Sequence, residues 1–272
     1  MPSAKKVPRV ATAEELSMMA RWDHCATYKE NIERTAADFC KTEHQVDRFY
    51  HDALMGKVVP PGLFDSTNRE AKRQSYTKLL QMWTKHLGGT TLHADDDDYD
   101  DGLEIKYVGL PAGYSTGIEG QMKAARPIHT MDVIEKDRSI WSYISFKDYP
   151  VVVGTRQVGQ TAGIYHEDIF SYLMYQPANK YNLFDLDLMC HLNVERITKI
   201  VEALGRTAEK MAVLNLVTSY GHGLTTAKYE EELRPILLQE IGQVFKINVK
   251  ESGKYCDRHI PMKYEHIAIS RE

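Results

Sequence analysis

The chain of 272 residues has no apolar run near the roughly 20 residues needed to cross a bilayer, so a membrane-spanning helix is excluded as an expectation. Basic residues near the N-terminus are followed by no apolar core, so no secretory leader is expected. Cysteine is sparse. Cys25, Cys40, Cys190 and Cys256 are widely separated and form no CxxC pair, which points to reduced thiols and a cytoplasmic setting instead of a disulfide framework. Cys256 and His259 have a ligand-like spacing, yet no second pair accompanies them, and no metal site is expected. Neither sign of charge dominates. A net charge of −4 excludes capture of nucleic acid by the whole surface and leaves only a local basic face for that role.

What is present is an ordinary globular balance, 43% hydrophobic and 26% charged, enough apolar material for a buried core. The length permits one large α/β domain or a core with an appendage. Residues 1 to about 90 read as helical, with helix starts at Thr12, followed by Glu15, and at Thr42, followed by Gln45, both at capping-box spacing. Gly88-Gly89 and the acidic run Asp95–Asp101 then suit a solvated linker, since like charges repel. That run lacks the alternating ligands and terminal Glu of an EF-hand. The expected organisation is a helical domain over 1–94, a linker over 95–103 and a second domain over 104–272.

After Gly102 short β-rich runs alternate with amphipathic segments, the pattern of a mostly parallel sheet covered by helices. Strands are expected at Ile105–Leu110, His129–Glu135, either Pro150–Val153 or Gly163–His166, Asn182–Asp187, Met211–Val217, Phe245–Val249 and Glu265–Ser270. Helices are expected at Ser115–Ala125, Asp137–Ser145, Val194–Leu204 and Thr226–Ile241. The last two strands are joined by a connection without a convincing helix, so an antiparallel pair is expected.

In a doubly wound sheet the ligand lies beyond the carboxyl ends of the strands. The first turn there, Tyr107 to Gly117, contains Gly109, Pro111 and Gly113, and Gly113 would let a backbone approach a ligand closely. About twenty residues later the strand Met131–Glu135 ends in an acid suited to both hydroxyls of a ribose; the alternative is a surface acid at a helix start. Asp168-Ile169 follows another strand end, where an acid could accept from an amino group. Asp185 and Asp187 alternate along a strand and therefore point to the same side.

This constellation resembles the class I S-adenosylmethionine-dependent methyltransferases over roughly residues 104–272. The resemblance implies a seven-stranded, mostly parallel sheet with helices on both faces and a terminal antiparallel strand, here preceded by a small all-helical domain. It implies S-adenosylmethionine as cofactor, held by Gly109, Pro111, Gly113, Glu135, Asp168 and Ile169, with Asp185 and Asp187 as catalytic groups. The ending, Phe245–Ile247 through Tyr264–Ile269, is similar to the family's closing antiparallel hairpin and separates it from nicotinamide-binding folds. The chain departs from the family at Gly109, where an acid is usual, at Pro111, where a glycine is usual, and in the fourth motif. Asp187–Cys190 is only loosely similar to an Asp-x-Pro-Cys motif with Cys190 as nucleophile.

Two other signals stand beside it. Val151–Thr161 has the spacing of a phosphate-binding loop, with Gln160 in place of its lysine and Phe184-Asp185 as a Walker-B-like strand end. Arg34–Phe49 looks like a helix-turn-helix, with Phe39, Val46 and Phe49 as its small core and Cys40 where glycine is usual. His44, Gln45 and Arg48 would face a groove, while Arg69, Lys72, Arg73, Lys78 and Lys85, beside Tyr76 and Trp83, would track phosphates. The alternative is a helical appendage with solvated charges. Together these readings imply a methyltransferase acting on nucleic acid, or a catalytically inactive protein of the same fold that binds DNA or RNA or organises an assembly.

Overall fold

A computed structural model describes residues 8–23, 25–61, 69–87, 104–110, 128–153, 161–188, 190–220, 225–257 and 260–271. Its N-terminal part contains α1 (Ala13–Met19), α2 (Tyr28–Asp38) and α3 (Glu43–Leu54), with a short parallel pairing of β1 (Arg9–Val10) and β2 (Val58–Val59). Each of these helices starts with a capping box, at Thr12/Glu15, Thr27/Glu30 and Thr42/Gln45, so side chains satisfy the first orphan amides. Cys40, in the turn between α2 and α3, has φ of 51°, the left-handed conformation for which glycine is usual. Met18, Ile32, Val46, Phe49 and Tyr50 form the core of this unit. It docks through Trp22 and Tyr50 onto Phe146, with ring centroids 5.0 and 5.3 Å away.

Helix α4 (Arg69–Leu87) comes next, followed by β3 (Ile105–Gly109), β4 (Ile128–Glu135), α5 (Arg138–Val153), β5 (Thr161–His166), α6 (Ile169–Met174), β6 (Tyr181–Asp187), α7 (Val194–Thr207) and β7 (Ala208–Ser219). A helical stretch then runs through α8 (Thr226–Lys228), a π-helical turn (Tyr229–Leu233) and α9 (Arg234–Val244), ahead of β8 (Lys246–Asp257) and β9 (Ile260–Ser270). The large sheet has seven strands in the order β5-β4-β3-β6-β7-β9-β8. Strands β3 to β7 are parallel, and β9 enters antiparallel between β7 and β8. The sheet is wound outward in both directions from β3 and closed by an antiparallel hairpin, the arrangement expected of the class I methyltransferase fold.

The two faces of the sheet are packed differently. On one, α6, α7 and α9 cover Val108, Ile134, Phe184, Leu186, Leu214 and Ile267 in the largest apolar core. Helix α7 presents Ile197, Ile200, Val201 and Leu204 at helical spacing, all buried there. On the other, α4 lays Tyr76, Leu79, Leu80 and Trp83 over Tyr107, Met131, Leu183, Val213 and Ala268. A helix that precedes the acidic run is thus built into the core of the α/β sheet.

Of the two alternatives for the third strand, Gly163–His166 is the one formed, within Thr161–His166, while Pro150–Val153 ends helix α5; a four-residue apolar run has no period that distinguishes strand from helix. The phosphate-loop spacing loses its context for the same reason: helix precedes it and strand follows, the reverse of strand, loop and helix. β8 and β9 run 12 and 11 residues, longer than expected, because hairpin pairing carries polar positions as readily as apolar ones. Ser115–Ala125 lies outside the described residues. No helix of the described residues is long and apolar enough to cross a membrane.

Candidate functional site

Because the winding reverses between β3 and β6, the crevice of this sheet lies at their carboxyl ends. Gly109, Glu135 and His166 end three neighbouring parallel strands, with Gly109 beside Val133 and Glu135 beside His166. On the other side of β3, Gly109 pairs with Asp185, and the Leu110 amide donates to the Asp185 carbonyl at 2.9 Å. Glu135, Asp168 and Asp187 therefore share the edge where a ligand would lie. Pro111 and Gly113 fall outside the described residues.

Glu135 is half-buried, and burial pushes its carboxyl above the usual range. One oxygen accepts the Asp137 amide at 2.8 Å, which leaves further acceptor capacity on the carboxylate. Asp168 is exposed and caps α6, its Oδ1 accepting from the amides of Phe170 and Ser171 at 3.0 and 3.3 Å. The Ile169 side chain belongs to the core, so only its backbone amide, at the first helical position, is oriented for a ligand.

Asp185 lies at the centre of a hydrogen-bonded group. Its Oδ2 accepts from Tyr76 and Tyr107 hydroxyls at 2.9 and 3.0 Å, and its Oδ1 from the Asn215 amide at 2.7 Å. Burial, and secondarily the charge on Asp187, push the Asp185 carboxyl up to about 6. Gly109 takes part through its missing side chain. A Cβ there would lie 2.8 Å from the Asp185 Cβ and collide with the Tyr107 hydroxyl, so glycine is required by this packing. The polar row continues across the sheet: Asp185 pairs with Asn215, Asn215 with His266, and His266 with Glu251. Ser75 meets His266 at 3.2 Å and Lys78 meets Glu251 at 2.8 Å, so α4 covers the row residue by residue. Burial pushes the His266 imidazole down to about 4, keeping it neutral near physiological pH.

Asp187 shares this face but stands one pleat nearer the carboxyl edge. Its Oδ2 receives the Lys72 ammonium at 2.7 Å, with side-chain exposures of 0% and 15%. Its Oδ1 is buried and has no hydrogen-bond partner among the described residues.

The proposed nucleic-acid residues separate. His44, Gln45 and Arg48 are exposed on α3, although Gln45 uses its Oε1 to cap that helix. Residues 8–61 carry seven basic against nine acidic residues, and α3 itself has Glu43, Asp47 and Asp52 against Arg48, an unfavourable balance for phosphate. Lys72 corrects the expectation most sharply, because its ammonium faces Asp187 in the sheet crevice. Tyr76 and Trp83 are core residues, Trp83 donating to Asn182 Oδ1 at 3.3 Å, and cannot stack on bases. Arg69 and Arg73 lie on α4, and their side chains are outside the described residues. Cys190 is half-buried with its thiol pushed up by burial, the opposite of an activated nucleophile. Sequence reasoning missed the roles of Tyr76 and Tyr107 as donors to Asp185, and did not single out Asn215 or His266. The available signal was polar residues inside apolar strands together with the 72, 75, 76, 79, 83 spacing of α4.

No protein-family model matches the chain, and no curated protein matches its sequence. Solved structures that it resembles include the N-methyltransferase NodS from Bradyrhizobium japonicum WM9 with S-adenosyl-L-homocysteine, at 10% identity, covering 83% of this chain and 98% of that one, TM-score 0.45. Another is Trm1 from Pyrococcus horikoshii with S-adenosyl-L-methionine, at 10% identity, covering 78% of this chain but 58% of that one, TM-score 0.48. A third is spermidine synthase from Thermotoga maritima, at 11% identity, covering 61% of this chain and 53% of that one, TM-score 0.40. These likenesses concern the fold alone, and the strand order and closing hairpin carry the fold argument independently.

Proposed function

We propose that the chain is an S-adenosylmethionine-dependent methyltransferase acting on nucleic acid. The observation that carries this reading is that Glu135, Asp168 and Asp187 follow or end the parallel strands β4, β5 and β6 at one carboxyl edge of the sheet, beside the reversal between β3 and β6. The donor set fits a nucleoside cofactor. Glu135 would accept from the ribose hydroxyls, and Asp168 with the Ile169 amide would meet the base edge. When bound, S-adenosylmethionine supplies an electrophilic methyl group on a positively charged sulfur. The protein's part is positioning. Asp187 would accept the hydrogen that the acceptor atom gives up, while Asp185, held by three donors, keeps the end of β6 rigid instead of touching substrate. The acceptor nucleic acid would meet His44 and Arg48.

Calorimetric titration of the full chain with S-adenosylmethionine and S-adenosylhomocysteine tests the cofactor site. Micromolar binding that Glu135→Ala abolishes is expected; absence of binding in the wild type overturns the enzyme reading. The second reading, a non-catalytic nucleic-acid-binding protein of the same fold, draws on the enclosure of Asp185, which keeps that carboxylate from a substrate. It would leave oligonucleotide binding intact without any cofactor.

A further inference from the structure

We propose that Lys72, carried by α4 ahead of the first strand of the large sheet, is a positioning residue for the methyl-transfer site: it holds one oxygen of Asp187, leaves the other for the acceptor's hydrogen, and neutralises the carboxylate beside the cofactor. This rests on the cofactor reading above. Lys72 Nζ lies 2.7 Å from Asp187 Oδ2, and the pair is almost wholly enclosed. The second oxygen, Oδ1, is buried with no partner among the described residues. A buried carboxylate oxygen without a donor is costly, and a bound ligand that donates to it is one way to offset that cost.

Docking of α4 does not explain the pair. Trp83 to Asn182, Tyr76 to Asp185, Ser75 to His266 and Lys78 to Glu251 already fix the helix along its length. A buried ion pair contributes little to stability compared with apolar packing of the same volume. Position supplies the reason. Asp187 is two residues beyond Asp185, the partner of Gly109, and therefore roughly 7 Å nearer the crevice, at the rise of a β-strand. An unneutralised carboxylate there would hold a sulfonium by charge alone; paired with Lys72 it presents an acceptor oxygen without a net field.

The charge argument gives opposite signs for the two partners. S-adenosylmethionine carries a positive sulfur and S-adenosylhomocysteine does not, so the ratio of their affinities reads the local charge. Titrating the full chain with both ligands, K72M is expected to shift the ratio toward S-adenosylmethionine by about tenfold, the scale of one unpaired charge near the sulfur in a partly solvated crevice. D187N is expected to shift it the other way, and the double variant to return near the wild-type value. A packing defect would weaken both ligands alike, and K72R, which keeps the charge, should keep the ratio. If K72M fails to fold, as judged by circular dichroism, the D187N and K72R ratios decide. Unchanged ratios with both ligands bound overturn the role of Lys72 and leave the cofactor reading standing; a wild-type protein that binds neither ligand overturns both.

Discussion

The two faces of the large sheet are built on opposite terms. Under α6, α7 and α9 the contact is a broad apolar core, and its specificity comes from shape. Under α4 an apolar patch gives way, toward the carboxyl edge, to Asp185, Asn215, His266 and Asp187, each buried and most matched to a side chain of α4. Burying such groups costs free energy unless every partner is in place. The first face therefore holds the fold together, and the second fixes the direction of a few polar atoms at the expense of stability.

Replacement on the apolar face should have the largest effect. Leu204→Ala is expected to destabilise by about 2–5 kcal/mol, equally at all pH values between 4 and 6.5, with the ligand affinity ratio unchanged. Denaturant titration measures this, and a strongly pH-dependent loss would contradict the contrast between faces.

On the polar face the effect should depend on pH. Asp185 titrates near 6 in the fold against an ordinary 3.8, so the folded protein retains a proton that the unfolded chain releases. Its contribution to stability is greatest below the ordinary value and falls as pH rises to about 6. His266 is pushed down from 6.5 to about 4, so the unfolded chain takes up a proton that the fold refuses, and stability falls as pH drops through that window. The two slopes oppose each other in the wild type, each on the order of 3 kcal/mol over its window. Asp185→Asn should expose the histidine slope, making the protein lose stability on acidification relative to wild type. The new amide could donate to Asn215 Oδ1, which is buried without a hydrogen-bond partner among the described residues, if the Asn215 side chain turns over. His266→Gln should expose the opposite slope. Parallel pH curves for the wild type and both variants would remove this account.

Tyr76→Phe removes one of three donors to Asp185 and is expected to cost about 1–2 kcal/mol, measured in denaturant, with most of the loss at pH above 6 where the carboxylate is charged. The smallest stability effect should come from α3. Arg48→Ala with His44→Ala should change stability by less than about 0.5 kcal/mol, while lowering affinity for an RNA or DNA oligonucleotide and reducing its salt slope. Unchanged oligonucleotide binding would detach α3 from the proposed function.

Much of the fold was legible because it depends on local periodicity. The capping threonines, the 197, 200, 201, 204 spacing of α7 and the alternation of Asp185 with Asp187 each follow from 3.6- or 2-residue repeats. Pro150–Val153 was not legible, since four apolar residues suit either period. The site was readable by element but not by partner. Glu135 and Asp168 stand at strand ends as expected, yet Gly109 serves Tyr107 and Asp185 instead of an open turn, and Lys72 faces inward from a segment that reads as surface. A charge at helical spacing looks the same whether its face meets water or a sheet.

The sequence by itself determined the alternation of strands and helices, the helix starts and the acids at the strand ends, because each depends on residues within a few positions of one another. Only the tertiary structure decided that α4 would cover the sheet, that Lys72 would lie against Asp187 115 positions away, and that Asp185, Asn215 and His266 would align in one row. Those pairings depend on sheet order and register, which bring together side chains whose spacing along the chain carries no trace of their contact.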